Sequence, residues 1–322
     1  MSVLAELRQI RKTGGQGGAP AGITRDKGAI IWMIPWIIGL LLINLIPMVY
    51  SFYLSFANPP RFLQGGPFFD WVGIQNYVRA FQDPRFLQSL RVTFIFVFIG
   101  VPLQLAVALA IAVLLNRGMR GLPFYRSALY LPSMMGGSVA ISILWRQLFG
   151  TQGLVNTVLR TFGASGTGMF GGNWGWISHP DTALSTIILL HVWTFGSPMI
   201  IFLAGLRNIP TMYYEAAQMD GASEWRQFRS ITLRLLTPII LFNLVLQIIN
   251  AFQSFTQAFI VSGGTGGPVD STLFAGLYIY NRSFTAGQWG YAAALSWILL
   301  VIIAISAALI FASSNFWVHY DD

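Results

Sequence analysis

The chain has 322 residues, 55% of them hydrophobic and only 9% charged, with a mean hydropathy of +0.62; a soluble domain carries about a quarter charged residues, so much of this surface does not face water. Its net charge of +8 comes from 19 lysines and arginines spread over short loops and an N-terminal tail, which suits cationic loops at a membrane face and not nucleic acid. The absence of cysteine excludes disulfides, thiolate metal sites and cysteine catalysis.

Residues 1–28 read as a cytoplasmic tail in which Gly14, Gly15, Gly17 and Gly18 give flexibility. The polar stretch is long, the apolar run after it is of full spanning length, and no small-x-small site follows, so a cleaved signal peptide is not expected. A span of the hydrocarbon core needs about 20 largely apolar residues. Six stretches qualify: 29–50, 92–115, 127–148, 182–206, 235–261 and 290–316. They predict an all-α integral membrane protein with one six-helix transmembrane domain over 29–316 and a cytoplasmic tail over 317–322. Arg146, near the end of the third span, can snorkel to water. Pro35, Pro102 and Pro198 fall inside spans, where kinks are expected and neighbouring helices can satisfy the freed backbone groups.

Loop charges set the orientation. With the N-terminus in the cytoplasm, the inner side holds Arg8, Arg11, Lys12, Arg25, Lys27, Arg117, Arg120, Arg207, Arg226, Arg229 and Arg234. The outer side holds Arg61, Arg79, Arg85, Arg160 and Arg282. The positive-inside rule then places both termini in the cytoplasm. The outer loops, about 51–91, 149–181 and 262–289, are rich in Gly, Pro, Trp and Phe and suit short interfacial helices and a docking face.

The loop after the fourth span, about 207–234, is the longest inner loop and far more polar than its surroundings. Pro210-Thr211 is a plausible helix start, Glu215-Ala216-Ala217 favours helix, and Gly221 suits a left-handed stop. A second helix would carry Trp225 and Phe228, three apart and so on one face. Glu215-Ala216-Ala217, then three residues to Gly221, nine to Ile231 and one to Leu233, resembles the EAA loop of ABC-importer permeases. That pattern usually continues with proline; here position 234 is arginine and proline comes at Pro238. Leu203-Ala-Gly-Leu206 with Ile209-Pro210, Gly263-Gly264 with Gly266-Gly267-Pro268, and Gly290-Tyr-Ala-Ala-Ala294 extend the resemblance to the carbohydrate-uptake branch, from about Ala29 to the C-terminus.

The resemblance implies a type I ABC-importer permease fold in the cytoplasmic membrane. It implies that Glu215, Ala216, Ala217, Asp220 and Gly221 couple to a separate ATP-binding subunit, which alone would use ATP and magnesium. It also implies a second permease subunit, usually a different chain, and an extracytoplasmic solute-binding protein. The solute would be a sugar or oligosaccharide; a glycerol phosphate ester, an amino acid, or a scaffold role without a solute path are the alternatives.

In the fifth span Asn243, Gln247, Asn250, Ser254 and Gln257 recur at spacings of four, three, four and three, hence on one helical face. Amides and hydroxyls both donate and accept, and a polar face avoids lipid. The stripe predicts either a path for an uncharged polyhydroxylated solute or a hydrogen-bonded interface between helices, with Phe252, Phe255 and Phe259 as apolar surface beside it. His191, Thr194 and Pro198 form a weaker stripe in span four, and Trp145 and Trp193 could contact solute or belong to the aromatic residues of the membrane interface.

No Walker A sequence occurs, and the two lysines, Lys12 and Lys27, stand outside any such context. The acidic residues all fall outside the span interiors, which disfavours proton- or sodium-coupled transport. His179, His191 and His319 have no metal-binding spacing, and Gly196-Ser197 lacks the surrounding G-x-S-x-G. No catalytic residue and no resident cofactor or metal is expected.

Overall fold

The computed structural model describes residues 27–58, 70–118, 121–164 and 168–319, with side chains from residue 32 onward. Of the expected tail over 1–28, residues 1–26 lie outside the described residues, as do 320–322 of the expected C-terminal tail. The chain divides into two compact units, Met1–Ser51 and Phe52–Asp322.

The first unit carries α1 (Lys27–Gly39), whose helix passes through a π-helical segment, Leu40–Leu45, into α2 (Ile46–Ser55). The wider turns lie just before Pro47, which has no N–H to offer the Ile43 carbonyl within the segment. In the second unit β1 (Ala57–Asn58) pairs antiparallel with β2 (Asp70–Trp71). Next come α3 (Gln75–Gln82) and the 33-residue α4 (Pro84–Asn116).

Helix α4 begins on an Asp-Pro signal: Asp83 accepts hydrogen bonds from the N–H groups of Arg85 (3.1 Å) and Phe86 (3.4 Å), and Pro84 occupies the first turn. Pro102 lies within it, and the helix nonetheless runs unbroken. One face, from Phe86 through Thr93, Phe96, Val97, Val101, Gln104, Leu105 and Ala108 to Ala112, is buried. The opposite face exposes Phe98, Ile99, Leu103 and Leu114, as expected of a helix with protein on one side and lipid or a partner on the other.

Around α4 the chain folds as bent pairs. Helices α5 (Leu122–Met135) and α6 (Val139–Leu148) meet at 94°. After α7 (Leu154–Thr161), helices α8 (Pro180–Trp193) and α9 (Gly196–Asn208) meet at 42°. Helices α10 (Met212–Met219) and α11 (Glu224–Gln227) form a hairpin. A π-helical segment, Phe228–Thr232, leads through α12 (Leu233–Leu235) into α13 (Thr237–Phe252), with a 64° bend at Leu236. Helices α14 (Thr256–Val261), α15 (Ala275–Tyr280) and α16 (Trp289–Trp317) complete the chain. Helix α4 packs against α8, α9, α13 and α15.

Of the six expected spans, three to six stretches are long and apolar enough to cross a membrane. Among the described residues three helices, Trp32–Ser55, Pro84–Asn116 and Trp289–Trp317, are long and apolar enough to cross a membrane alone, and three bent pairs qualify only when each is taken together. The stretches 127–148, 182–206 and 235–261 are interrupted at 136–138, 194–195 and 253–255. Gly136 shows why the first breaks: a Cβ there would sit 2.0 Å from Thr194 Cγ2, so the two breaks lie directly against each other. Pro198 falls in the first turn of α9, four residues after Thr194, whose carbonyl it has no N–H to bond, and the 42° bend lies at that point. The displaced proline of the loop pattern is explained too, because Pro238 stands in the first turn of α13 and marks its start after the bend.

Candidate solute cavity and coupling hairpin

The helix breaks converge. At the break between α8 and α9, Gln104 Nε2 of α4 donates to the carbonyls of His191 (3.2 Å) and Thr194 (3.1 Å) and to Thr194 Oγ1 (3.0 Å). Ser133 Oγ of α5 donates to the same Thr194 carbonyl at 2.9 Å and accepts from the Ser197 N–H at 3.0 Å. At the break between α5 and α6, Gln257 Nε2 of α14 donates to the Gly136 carbonyl at 3.1 Å. Irregular backbone at membrane depth is tolerated only where other protein groups or a wet cavity satisfy it, and side chains of α4, α5 and α14 do so here.

A cavity of about 380 Å³ opens among these breaks, lined by Gln104, Ser133, Gly137, His191, Thr194, Ser197, Gln247, Asn250, Gln253, Ser254, Phe255, Thr256 and Gln257. No lining residue is Asp, Glu, Lys or Arg. Of the seven residues singled out in the sequence for a solute path, His191, Thr194, Gln247, Asn250, Ser254 and Gln257 share this wall. Asn243 does not: it is fully buried on α13, with neither amide atom hydrogen-bonded among the described residues. The expected single helical face also ends at Phe252, since Ser254 and Gln257 lie beyond the break. They reach the cavity because the chain turns, not because the helix continues.

Sequence reasoning passed over Gln104, Ser133, Ser197 and Gln253. Gln104 had a usable signal, as the one side-chain amide in the apolar stretch 92–115. Its orientation is determined: the amide nitrogen faces three acceptors, and Thr194 Oγ1 spends its own proton on the His191 carbonyl at 2.7 Å. Gln104 Oε1 is thereby turned away as an acceptor, and it and His191 Nε2 are buried without a hydrogen-bond partner among the described residues. Phe252 lies in the core, Phe255 on the cavity wall and Phe259 in a second cavity farther along. Trp145 donates to the Thr186 carbonyl at 2.9 Å and packs 6.1 Å from Trp193, and neither lines the cavity.

The hairpin forms at the opposite pole from the α4 N-terminus. Glu215, Ala216 and Ala217 lie in α10, Asp220 caps its end, and Gly221 takes φ +71°. The Ala222 N–H then reaches back to the Ala217 carbonyl at 2.9 Å, the bond that a left-handed residue at this place permits. Ser223 caps α11 by accepting from the Arg226 N–H at 3.4 Å. Trp225 and Phe228 pack with ring centres 5.6 Å apart, yet Trp225 is 71% and Met219 90% exposed. Arg117, just past α4, faces Glu224 at 3.3 Å. Both side chains are exposed, so this pair adds little stability. A groove of about 590 Å³ lies between the end of α4 and the hairpin.

These features define a polytopic helical membrane protein with an uncharged polar cavity at its helix breaks and an exposed helical hairpin at one end. Residues 77–319 match the family model of the binding-protein-dependent transport system inner membrane component. The probable ABC transporter permease protein YesP of Bacillus subtilis is 47% identical over 89% of this chain and 90% of its own length. The lactose transport system permease protein LacF of Rhizobium radiobacter is 34% identical over 90% and 95%. Chains of a bacterial ABC transporter involved in import of the acidic polysaccharide alginate share the fold. One has a TM-score of 0.70 at 20% identity over 97% of this chain and 98% of that one. Another, from the complex with alginate pentasaccharide-bound periplasmic protein, has 0.75 at 21% over 91% and 95%. The chain belongs to the family of binding-protein-dependent transport system inner membrane components, and is a multi-pass permease subunit of an ABC transporter.

Proposed function

We propose that this permease imports a neutral sugar or oligosaccharide through the cavity at the helix breaks. The observation that carries the reading is the lining: amides, hydroxyls, an imidazole and an aromatic ring, with no Asp, Glu, Lys or Arg among them. A phosphate ester or a zwitterionic amino acid would leave its charge unpaired there, at a cost of several kcal/mol in a dry site. A sugar offers only hydroxyls, which such a wall can both donate to and accept from. The names of relatives whose printed substrates are lactose, arabinooligosaccharides and trehalose/maltose support the sugar class. The acidic alginate of the fold neighbour would meet no cation in this lining.

In this reading the six spans are the three long helices, the bent pairs α5–α6 and α8–α9, and α13 with α14, with both termini and the hairpin in the cytoplasm and the chain in the inner membrane. Glu215, Ala216, Ala217, Asp220 and Gly221 dock the hairpin into an ATP-binding subunit. That subunit binds ATP and magnesium and closes on the hairpin, and this chain performs no covalent chemistry. A second permease chain completes the pathway, and a solute-binding protein loads it from outside. The exposed Met219 and Trp225 support a partner surface, because large apolar side chains seldom stand free on one small hairpin.

The test is reconstitution of the full importer in liposomes, measuring ATP-dependent uptake of radiolabelled lactose, maltose and trehalose against glycerol phosphate. Uptake of a neutral sugar is expected, with Glu215→Ala reducing it at least about tenfold through weakened association with the ATP-binding subunit. Uptake of glycerol phosphate alone would overturn the sugar reading, and normal uptake and association in Glu215→Ala would overturn the coupling assignment.

A further inference from the structure

From the cavity outward, aromatic side chains at the start of and within α14, at the end of α15 and just after it, and at the start of α16 form a continuous row. Phe255 and Phe259 lie 5.3 Å apart between ring centres, and Tyr280 is 5.1 Å from the first and 5.5 Å from the second. Phe284 follows at 5.0 Å from Tyr280, and Trp289 at 5.3 Å from Phe284. Rings at this spacing are ordinary in a core; Phe255 and Phe259 pack against the core with part of each ring left open, and the row continues outward from there. Phe284 is 63% and Trp289 48% exposed, and the other three are half-buried.

The row connects two cavities. Phe255 lines the polar cavity at the helix breaks, while Phe259 and Tyr280 line a second one of about 600 Å³. That second cavity includes Arg85, so it lies at the N-terminal end of α4, about 45 Å along a 33-residue helix from the hairpin end. Its rim is polar. Asn281 and Arg282 contribute donors, and Arg282 is already paired, donating to the Tyr278 hydroxyl at 2.6 Å and facing the Asp83 carboxylate at 3.5 Å. The Tyr280 hydroxyl has no hydrogen-bond partner among the described residues. The pocket thus joins exposed ring faces to hydrogen-bonding groups whose charge is offset. A pyranose has the matching surface, with an apolar C–H face and a hydroxyl rim, whereas an acyl chain would leave that rim unsatisfied.

We propose that this outer pocket is a reception site for a neutral saccharide ring, and that the aromatic row hands the ring on to the cavity at the helix breaks. The proposal rests on the sugar reading above.

The chain has no cysteine, so Thr265→Cys at the pocket rim provides its only thiol. In the complete liposome-reconstituted importer, labelling of that thiol by N-ethylmaleimide is followed with lactose, maltose or trehalose supplied through the binding protein. Uptake of the same sugars is measured in wild type, Tyr280→Leu and Tyr280→Phe. The transported sugar is expected to slow labelling by about threefold or more, and Tyr280→Leu to raise the KM for uptake by about tenfold. Binding-protein-stimulated ATP hydrolysis should stay within about twofold, and Tyr280→Phe, which keeps the ring, within about threefold of wild type. Should Tyr280→Leu fail to assemble, the exposed Phe284→Leu carries the same expectation. Unprotected labelling by a sugar that is transported, together with a wild-type KM in the leucine variant, overturns the reception site while leaving the sugar reading intact. Wild type taking up none of the three sugars overturns the sugar reading and the reception site with it.

Discussion

Gln104 joins the polar cavity to the backbone that shapes it. Its amide nitrogen holds two freed carbonyls at the break between α8 and α9, and its oxygen is left as a buried acceptor. Both carbonyls keep another donor, Ser133 Oγ on Thr194 and the Thr194 N–H and Oγ1 on His191, so losing the amide forfeits hydrogen bonds worth about 0.5–1.5 kcal/mol each. Gln104→Leu is therefore expected to lower the melting temperature of the assembled importer and cut the initial uptake rate at least about tenfold. Gln104→Glu, which sets a carboxylate against the same oxygens, should do no better. An unchanged rate in both variants would remove Gln104 from the pathway. At this scale the sequence was only partly legible. Gln247 and Asn250 could be found by period, but the same period carried Asn243 into the stripe, although packing buries it away from the cavity. Gln104 went unnoticed because a lone amide in an apolar span has no periodic partner to announce it.

At the scale of elements, the N-terminus of α4 is tied to the segment 270–291. Burial alone would raise the Asp83 carboxyl, but hydrogen bonds from the Tyr278 and Tyr291 hydroxyls and from the Arg85 and Phe86 N–H groups hold it below its ordinary 3.8. Tyr278 remains a donor, since burial and the bond to Asp83 push its hydroxyl up to about 12. A carboxyl lowered on folding contributes stability that is complete above its unfolded value and is lost as pH falls through the folded one. Asp83→Asn is thus expected to melt below wild type at about pH 7, with the gap narrowing as pH falls below the ordinary carboxyl value of 3.8, as thermal unfolding of the purified importer would show. A constant gap across that range would mean that the carboxylate charge plays no part. The Gly221 stop could be read from local chemistry, because caps depend on neighbours in sequence, whereas the Asp83-Pro84 start fell inside the loop expected over about 51–91. The interruptions at 136–138 and 194–195 could not be read so, because apolar content is the same in a straight helix and a broken one. Gly136 against Thr194, and the side chains that satisfy the loose carbonyls, come from remote parts of the chain.

For the whole molecule, the expected topology puts the hairpin and the aromatic pocket on opposite sides of the membrane. Ser223→Cys is expected to react with a membrane-impermeant maleimide only from the cytoplasmic side, and Thr285→Cys only from the outside. Labelling of both from one side would refute the six-span arrangement. Membrane class, the positions of the apolar stretches and the hairpin pattern were set by the sequence alone, because each depends on composition or on spacings shorter than about a helical turn or two. The tertiary structure alone decided which polar groups meet. It bent three of the six stretches and gathered Gln104 with His191 and Asn250, residues far apart in the chain. It also withdrew Asn243 from the cavity, because burial and hydrogen-bond satisfaction are settled by neighbours in space.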